Sequence, residues 1–229
     1  MENRDQERGE NLQSKGAKAH GRTGSRPCPP QLFSNLWDEA LGPFKAKPFT
    51  SDLALVDECI RQEAALMEFL PEWGIANDLL RELKSHRVAG GAEHHVFVID
   101  PKRVWKQTIY PRWGFIRDTP KDYLARLAAL DLYAEELEIL VEGIVLETGV
   151  PSLITSMAYI HGRHPQPLEL HEKLLSDGWE RASDDSQLLA YRHPETKVVL
   201  RDAHPGNFIV SGKKYVPIDV AIENLPPAF

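Results

Sequence analysis

A stretch near the end of the chain carries side chains that could bind a metal ion and orient a hydroxyl group. Asp202 and Asn207 lie five positions apart with His204-Pro205-Gly206 between them, and Asp219 follows a second apolar run. Phosphoryl transfer needs oxygen ligands for Mg²⁺, a lysine on the nucleotide phosphates and a carboxylate that orients the attacking hydroxyl. The amide oxygen of Asn207 and the carboxylate of Asp219 would come from the ends of two adjacent strands. This arrangement predicts a single metal and phosphate centre.

A lysine within a predicted strand would complete such a centre. Side chains alternate along a strand, so Val104, Lys106 and Thr108 share one face. Lys106 would then lie among residues that line an interior or a cleft, where it needs an anionic partner. The alternative is a lysine on an edge strand that faces solvent, as edge lysines commonly do.

The motifs resemble those of a known superfamily. The stretch 201–207, followed by Asp219, is similar to the catalytic loop and metal-binding aspartate of the protein-kinase-like superfamily. The residues at 202–207 resemble most closely those of the aminoglycoside and choline phosphotransferase branch. With the stretches 90–97 and 104–106, the region from about Val88 to Glu223 resembles the small polyvalent protein-kinase-like domains of phage and mobile elements.

The resemblance implies a kinase-like phosphotransferase that uses ATP and Mg²⁺ and transfers the γ-phosphate to an unknown hydroxyl acceptor. Lys106 would contact the nucleotide phosphates and Asp202 would be the catalytic base. Asn207 and Asp219 would hold Mg²⁺. The nucleotide would also be bound by the glycine-rich turn, which contains Gly90, Gly91 and Glu93.

The carboxylate that pairs with Lys106 stays open at this point. Glu93 is one candidate, and the helix that should supply a glutamate offers Asp122, Asp131, Glu135 and Glu136. The glycine stretch is shorter than GxGxxG, and Val220-Ala221 stands where protein kinases carry Phe-Gly. The chain ends soon afterwards, at Phe229, which disfavours a protein-binding lobe. These departures favour a second hypothesis, a catalytically weak or inactive kinase-like binding module of mobile-element origin.

The pattern of elements predicts an α+β protein with a two-lobed minimal protein-kinase-like fold. It has an antiparallel N-lobe sheet, a reduced C-lobe and an N-terminal helical extension. The expected divisions are a flexible tail at 1–30, the helical extension at 31–87, the N-lobe at 88–160 and the C-lobe with the catalytic loop at 161–229.

Several helices are predicted from caps and apolar spacing. One helix should begin at Ser51 or Asp52 and stop at Pro71, and core spacing predicts that its apolar stripe is buried. That stripe is Leu53, Val56, Ile60 and Met67. Further helices are expected at about Ser34 to Leu41, Asn77 to Lys84, Pro120 to Leu137 and Pro167 to Ser176. Strands are expected at 95–99, 104–108, 140–146, 152–159, 197–200, 208–211 and 215–218.

Composition narrows the class of protein. The 229 residues are 42% hydrophobic and carry a formal net charge of −7, which gives no reason to expect a membrane or a nucleic acid as the main partner. Nucleic-acid binding is expected only through the basic residues of the tail. The partners are then a nucleotide and an unknown small-molecule or protein acceptor. With no secretory signal, no spanning segment and only Cys28 and Cys59, we expect a cytoplasmic protein.

Overall fold

The computed structural model describes residues 41, 51–91, 93–109, 113, 118–182 and 189–225, without the side chains of 89 and 90. The predicted tail lies outside these ranges, as does the helix predicted around Ser34 to Leu41 except for Leu41, which is fully buried in the main core. No helix within the described ranges has both the length and the apolar character needed to cross a membrane.

A five-stranded antiparallel sheet forms the first part of the fold, in the order β1-β2-β3-β5-β4. Its strands are β1 (Arg87–Gly90), β2 (His94–Asp100), β3 (Arg103–Thr108), β4 (Leu140–Glu147) and β5 (Val150–Ala158). The predicted hairpin of β2 and β3 is confirmed. Because β3 pairs with β2 on one side and β5 on the other, it is a central strand, and the edge-strand alternative for Lys106 is wrong.

Helix α4 (Pro120–Tyr133) connects β3 to β4, and its start is capped as predicted. The Thr119 hydroxyl accepts a hydrogen bond from Asp122 N, and the Asp122 carboxylate accepts one from Thr119 N. The two bonds satisfy donors that a helix terminus leaves without partners. The helix ends at Tyr133 rather than at Leu137, and a 3-10 turn, Glu135–Leu137, follows. Its predicted stripe is buried: Tyr123, Leu124, Leu127 and Leu130.

Between residues 51 and 86 the structure describes three helices before the sheet, named α1 (Asp52–Glu68), α2 (Leu70–Trp73) and α3 (Asn77–Ser85). The Ser51 hydroxyl caps α1 by accepting a hydrogen bond from Ala54 N at 3.2 Å. Pro71 was expected to stop the helix, but α1 ends before it. Pro71 instead occupies the first turn of α2, where its missing N–H removes no helical hydrogen bond.

The buried face predicted for α1 is wrong. Leu53, Val56 and Ile60 are 71%, 51% and 58% exposed. The opposite face is buried instead and contains Glu58 and Gln62. The physical reason is the neighbour of that face: α1 lies against the first turn of α4, where backbone N–H groups need acceptors, and Gln62 Oε1 accepts from Lys121 N at 2.9 Å. Apolar spacing alone could not reveal this polar contact.

In residues 161–182 and 189–225 the structure describes one α-helix and two small antiparallel sheets. Helix α5 (Pro167–Ser176) has the predicted bounds. Strands β9 (Phe208–Ser211) and β10 (Lys214–Pro217) form a hairpin. The other sheet has the order β11-β8-β7-β6, with β6 (Glu180–Arg181), β7 (Tyr191–Arg192), β8 (Val199–Arg201) and β11 (Ala221–Glu223). Of these, β6, β7 and β11 were not predicted, nor was β1.

One main core joins the two parts of the chain. Its buried residues include Ile144 and Leu153 from the large sheet together with Leu174, Phe208 and Val216 from the later elements. The described chain is therefore a mixed α+β protein with antiparallel sheets, as the element pattern predicted.

Candidate active site

The β9–β10 hairpin brings Asn207 and Asp219 to the same end of two neighbouring strands. Asn207 directly precedes β9, and Asp219 lies two residues after β10. Phe208 pairs with Pro217 in the ladder, and one step beyond it Ile218 N donates to Asn207 O at 2.8 Å. The base of the hairpin therefore positions both residues, as expected from the two predicted strands.

Asp202 is held beside Asn207 by two hydrogen bonds from one amide group. Asn207 Nδ2 donates to Asp202 Oδ2 at 3.0 Å and to Asp202 O at 2.9 Å. The oxygen of that amide lies on its opposite edge and is the atom that could bind a cation. Asp202 has a φ of +57°, a left-handed conformation that aspartate tolerates better than most residues. Its carboxylate is partly exposed, which leaves it accessible to an acceptor.

His204 shapes the turn rather than holding the aspartate. Its Nδ1 accepts from Gly206 N at 3.1 Å, within the 3-10 turn Pro205–Asn207. Its Nε2 is 3.8 Å from Asp202 Oδ1, which is too far for a hydrogen bond. Asp202 is held instead by the amide nitrogen of Asn207.

Lys106 is buried and points toward Asp219. Its Nζ lies 3.2 Å from Asp219 Oδ2 and donates to Ile218 O at 3.3 Å, although these residues are more than a hundred positions away in sequence. Burial by itself would raise the pKa of the Asp219 carboxyl, but the charge and hydrogen bond of Lys106 together with the other positive charges nearby outweigh burial, and the pKa is lowered. Asp219 is therefore a carboxylate at neutral pH, and its side chain is 43% exposed.

The partner of Lys106 is thus Asp219, and three of the candidates that the sequence left open make other contacts. Asp122 belongs to the α4 capping box. Asp131 Oδ1 accepts from Ile139 N at 2.7 Å, and Glu136 Oε1 lies 3.7 Å from Lys214 Nζ.

Neutral polar groups surround the strand position of Lys106. Thr155 is its cross-strand partner, and Thr155 Oγ1 lies 3.5 Å from the Tyr123 hydroxyl. That hydroxyl is also 3.2 Å from His94 Nε2. Burial lowers the pKa of His94 to about 4, so its ring is neutral at physiological pH. The sequence did not identify Tyr123 and His94 as neighbours of Lys106. Tyr123 could have been noticed because it is the polar residue in the otherwise aliphatic buried stripe of α4.

Glu93 lies in the turn between β1 and β2, within electrostatic range of the site. Burial raises the pKa of its carboxyl to about 7 against the opposing charge of Arg126, and the charges of Asp219 and Asp202 raise it further. Glu93 therefore adds a titrating acid close to the two aspartates. It does not replace Asp219 in the ion pair with Lys106.

The two glycines of the turn differ in setting. Gly90 is the last residue of β1 and pairs with His95, which pairs in turn with Gln107 beside Lys106. Gly91 N donates to His94 O at 3.1 Å, and no atom lies within 4 Å of the position that a Cβ on Gly91 would occupy. The backbone at Gly91 is therefore open enough for a ligand to approach.

Arg126 was also missed from the sequence. Its Nε lies 2.8 Å from Asp118 Oδ2, and its guanidinium carbon is 5.8 Å from the centre of the Tyr123 ring. Its position three residues after Tyr123, on the same side of α4, is the signal that could have identified it. It places a positive charge near Glu93 and Asp219.

Asp219 and Asn207 offer two oxygen ligands that could contribute to a Mg²⁺ site. Within the described ranges no group of three or more His, Cys, Asp or Glu residues could hold a metal ion. Mg²⁺ commonly uses one or two carboxylates and takes its other ligands from phosphates and water. One carboxylate from Asp219 and one amide oxygen from Asn207 suit that pattern.

Comparison of the chain with protein-family models, with curated proteins and with solved structures gave no match.

Proposed function

We propose that the chain is a kinase-like phosphotransferase that moves the γ-phosphate of Mg-ATP to a hydroxyl acceptor. The observation that carries the proposal is the ion pair between Lys106 and Asp219 beside the hydrogen-bonded pair of Asp202 and Asn207. Protein kinases use a lysine on the third strand, a metal-binding aspartate and a catalytic-loop asparagine. Lys106 lies on β3 and contacts Asp219 directly. Asn207 is hydrogen-bonded to Ile218, whose carbonyl accepts from Lys106.

Each side chain has a role that its environment supports. Lys106 is fixed by burial and would steady the nucleotide phosphates with its charge. Asp202 would accept a hydrogen bond from the acceptor hydroxyl and so align it for in-line attack. Asn207 holds Asp202 through its amide nitrogen. Its amide oxygen and the Asp219 carboxylate would bind Mg²⁺, which when bound neutralises charge on the phosphate oxygens.

The arrangement of elements supports a two-lobed kinase-like fold for this function. The large antiparallel sheet carries Lys106 and has its helix α4 between the third and fourth strands. The residues that act on the acceptor and the metal come from the later, smaller sheets. We propose that the nucleotide binds between these two parts, with the Gly91 turn over its phosphates.

A catalytically weak binding module is the second candidate, favoured by the same ion pair. In protein kinases the lysine pairs with a glutamate from the helix, which leaves the metal-binding aspartate available. Here Asp219 is the partner of Lys106, so its carboxylate would be shared between the lysine and the metal that accompanies a bound nucleotide. Such sharing would weaken catalysis more than binding. The proposed origin from a phage or mobile element rests on the sequence resemblance.

Transfer of radiolabelled phosphate from ATP to the protein itself or to a panel of hydroxyl acceptors tests the proposal. The Asp202→Ala variant should lose transfer by about two orders of magnitude or more while keeping the thermal shift caused by Mg-ATP. Asp78→Ala, at an exposed aspartate of α3, is the control and should behave as wild type. Transfer by Asp202→Ala at the wild-type rate would exclude Asp202 as the base. A thermal shift without any transfer by the wild-type protein would support the binding module.

A further inference from the structure

We propose that the exposed apolar face of α1 binds a basic amphipathic helix of a partner protein. The face consists of Leu53, Val56, Ile60 and Ala64, all of them exposed. We call it the α1 stripe. It lies on the first helix of the described chain and is separate from the proposed phosphotransfer site.

The spacing of the α1 stripe is that of a helix-pairing seam. Its members follow each other at intervals of three or four residues, which places them on one side of the helix. From Leu53 to Ala64 they extend over about 17 Å, or roughly three helical turns. A partner helix of two to three heptads could cover this length.

The α1 stripe cannot turn toward the core, because the opposite side of the helix is already fixed. Glu58, Gln62 and Leu66 are buried there. Gln62 Oε1 accepts from Lys121 N, and Glu63 Oε1 accepts from Trp113 Nε1 at 3.0 Å. Rotation of α1 would break these contacts and bury charged groups. The helix thus presents its apolar side outward in its stable orientation.

Charges beside the α1 stripe select the class of partner. Asp57 and Glu68 are exposed on one flank, and the nearby Arg61 is engaged in an ion pair with Glu58. The rim is therefore acidic. It favours a partner whose apolar seam is bordered by lysine or arginine, and it disfavours an anionic membrane surface.

The same charges disfavour a second copy of this chain as the occupant. A pairing of two copies through the α1 stripe would bring two acidic rims together, each with the exposed Asp57 and Glu68. It would also join two chains that each carry a formal net charge of −7. Like charges that face each other across a helix pair are repulsive.

Binding of a designed helical peptide to the full chain tests this proposal. The probe is about three heptads long, with leucine at the seam positions and lysine on both flanks, and its twin carries glutamate in place of lysine. Fluorescence anisotropy at low salt should show that the lysine peptide binds about tenfold more tightly than the glutamate twin, or better. The double variant Val56→Ser/Ile60→Ser should weaken binding of the lysine peptide by about tenfold or more.

The matched control is Leu168→Ser, at an exposed leucine of α5, which should bind the lysine peptide as wild type does. Because the substituted side chains are exposed and serine and isoleucine have similar helix propensities, the double variant should keep its Tm. Equal affinity for the two peptides, or unchanged binding by the double variant, would overturn the proposal. So would a marked fall in Tm, which would mean that the stripe packs within its own chain. Dimerisation that the double variant abolishes would identify a second copy as the occupant and overturn it equally.

Discussion

Lys106 and Asp219 form an ion pair, with Nζ 3.2 Å from Oδ2. Under the proposed function, the phosphates of a nucleotide would compete with Asp219 for the charge of Lys106. The sequence allowed both residues to be recognised as site candidates. It did not reveal their direct pairing, because that depends on how the hairpin of β9 and β10 docks against the central strand β3.

We predict that Lys106→Met abolishes most of the thermal shift caused by Mg-ATP. The substitution should also lower the free energy of unfolding at neutral pH by about 1 kcal/mol, and this value is modest because Asp219 is partly exposed. Folding lowers the pKa of Asp219 below the ordinary 3.8. The pair therefore stabilises the fold above that pH, and its contribution is lost as the pH falls through the lower, folded-state pKa. Urea unfolding of both proteins at neutral and acid pH measures the difference, which should shrink at low pH. A difference that is constant with pH would contradict the assignment.

Glu93 should make nucleotide binding sensitive to pH. Burial raises the pKa of its carboxyl to about 7, so the group gains negative charge as the pH rises through neutrality. That charge lies near Asp202 and Asp219 and would repel the phosphates. We expect the Kd for Mg-ATP to rise over this range in wild type relative to Glu93→Gln, measured by calorimetry. Because ATP itself titrates equally in both experiments, only the ratio of the two Kd values is informative, and a ratio independent of pH would refute the role of Glu93.

Helix α4 depends on its first turn, where sequence and structure agree most closely. Thr119→Ala removes the capping hydroxyl and should lower the free energy of unfolding by about 1 kcal/mol. Thr119→Ser keeps an oxygen that can accept from Asp122 N and should retain most of that stability. Chemical denaturation of the three proteins checks this, and equal losses in both variants would show that the methyl group rather than the cap is important.

The junction before α5 is held tightly against the hairpin. A Cβ on Gly162 would lie 2.2 Å from Val210 O, and the neighbouring Arg163 exchanges two backbone hydrogen bonds with Val210. Gly162→Ala should therefore shift β9 and reduce both stability and phosphate transfer. Gly91→Ala, which meets no atom within 4 Å, should leave stability within about 0.5 kcal/mol of wild type. Denaturation of both variants measures the contrast in stability, and a transfer assay follows Gly162→Ala alone. A stable, active Gly162→Ala would show that the junction is less constrained than we infer.

How well each element could be predicted depended on whether its cause is local. Caps and proline signals predicted α5 at its observed bounds and the start of α4, because those signals act within a few residues. Strands β6 and β7 contain two residues each, and they are defined by the pairing of β6 with β7 and of β7 with β8, which no local pattern reveals. The buried face of α1 was predicted wrongly because a polar contact with α4 outweighed its apolar spacing.

The described chain should unfold as one unit. Its main core contains residues of the large sheet and of the later elements together, so neither part buries its apolar surface alone. We expect differential scanning calorimetry to show one transition whose calorimetric and van't Hoff enthalpies agree. Two separate transitions would mean that the contact between the parts contributes little to stability.

The hairpin of β9 and β10 also affects how related sequences should be searched. Asn207 and Asp219 are adjacent because they lie at the open base of the hairpin, and the ladder above them can gain or lose a pair of residues without moving either one. Asp202 and Asn207, in contrast, are tied by direct hydrogen bonds across a short turn and tolerate no change in spacing. Distant homologues should therefore preserve the interval from Asp202 to Asn207, while the interval from Asn207 to Asp219 varies in length. A search pattern that fixes the interval from Asn207 to Asp219 would fail to find them.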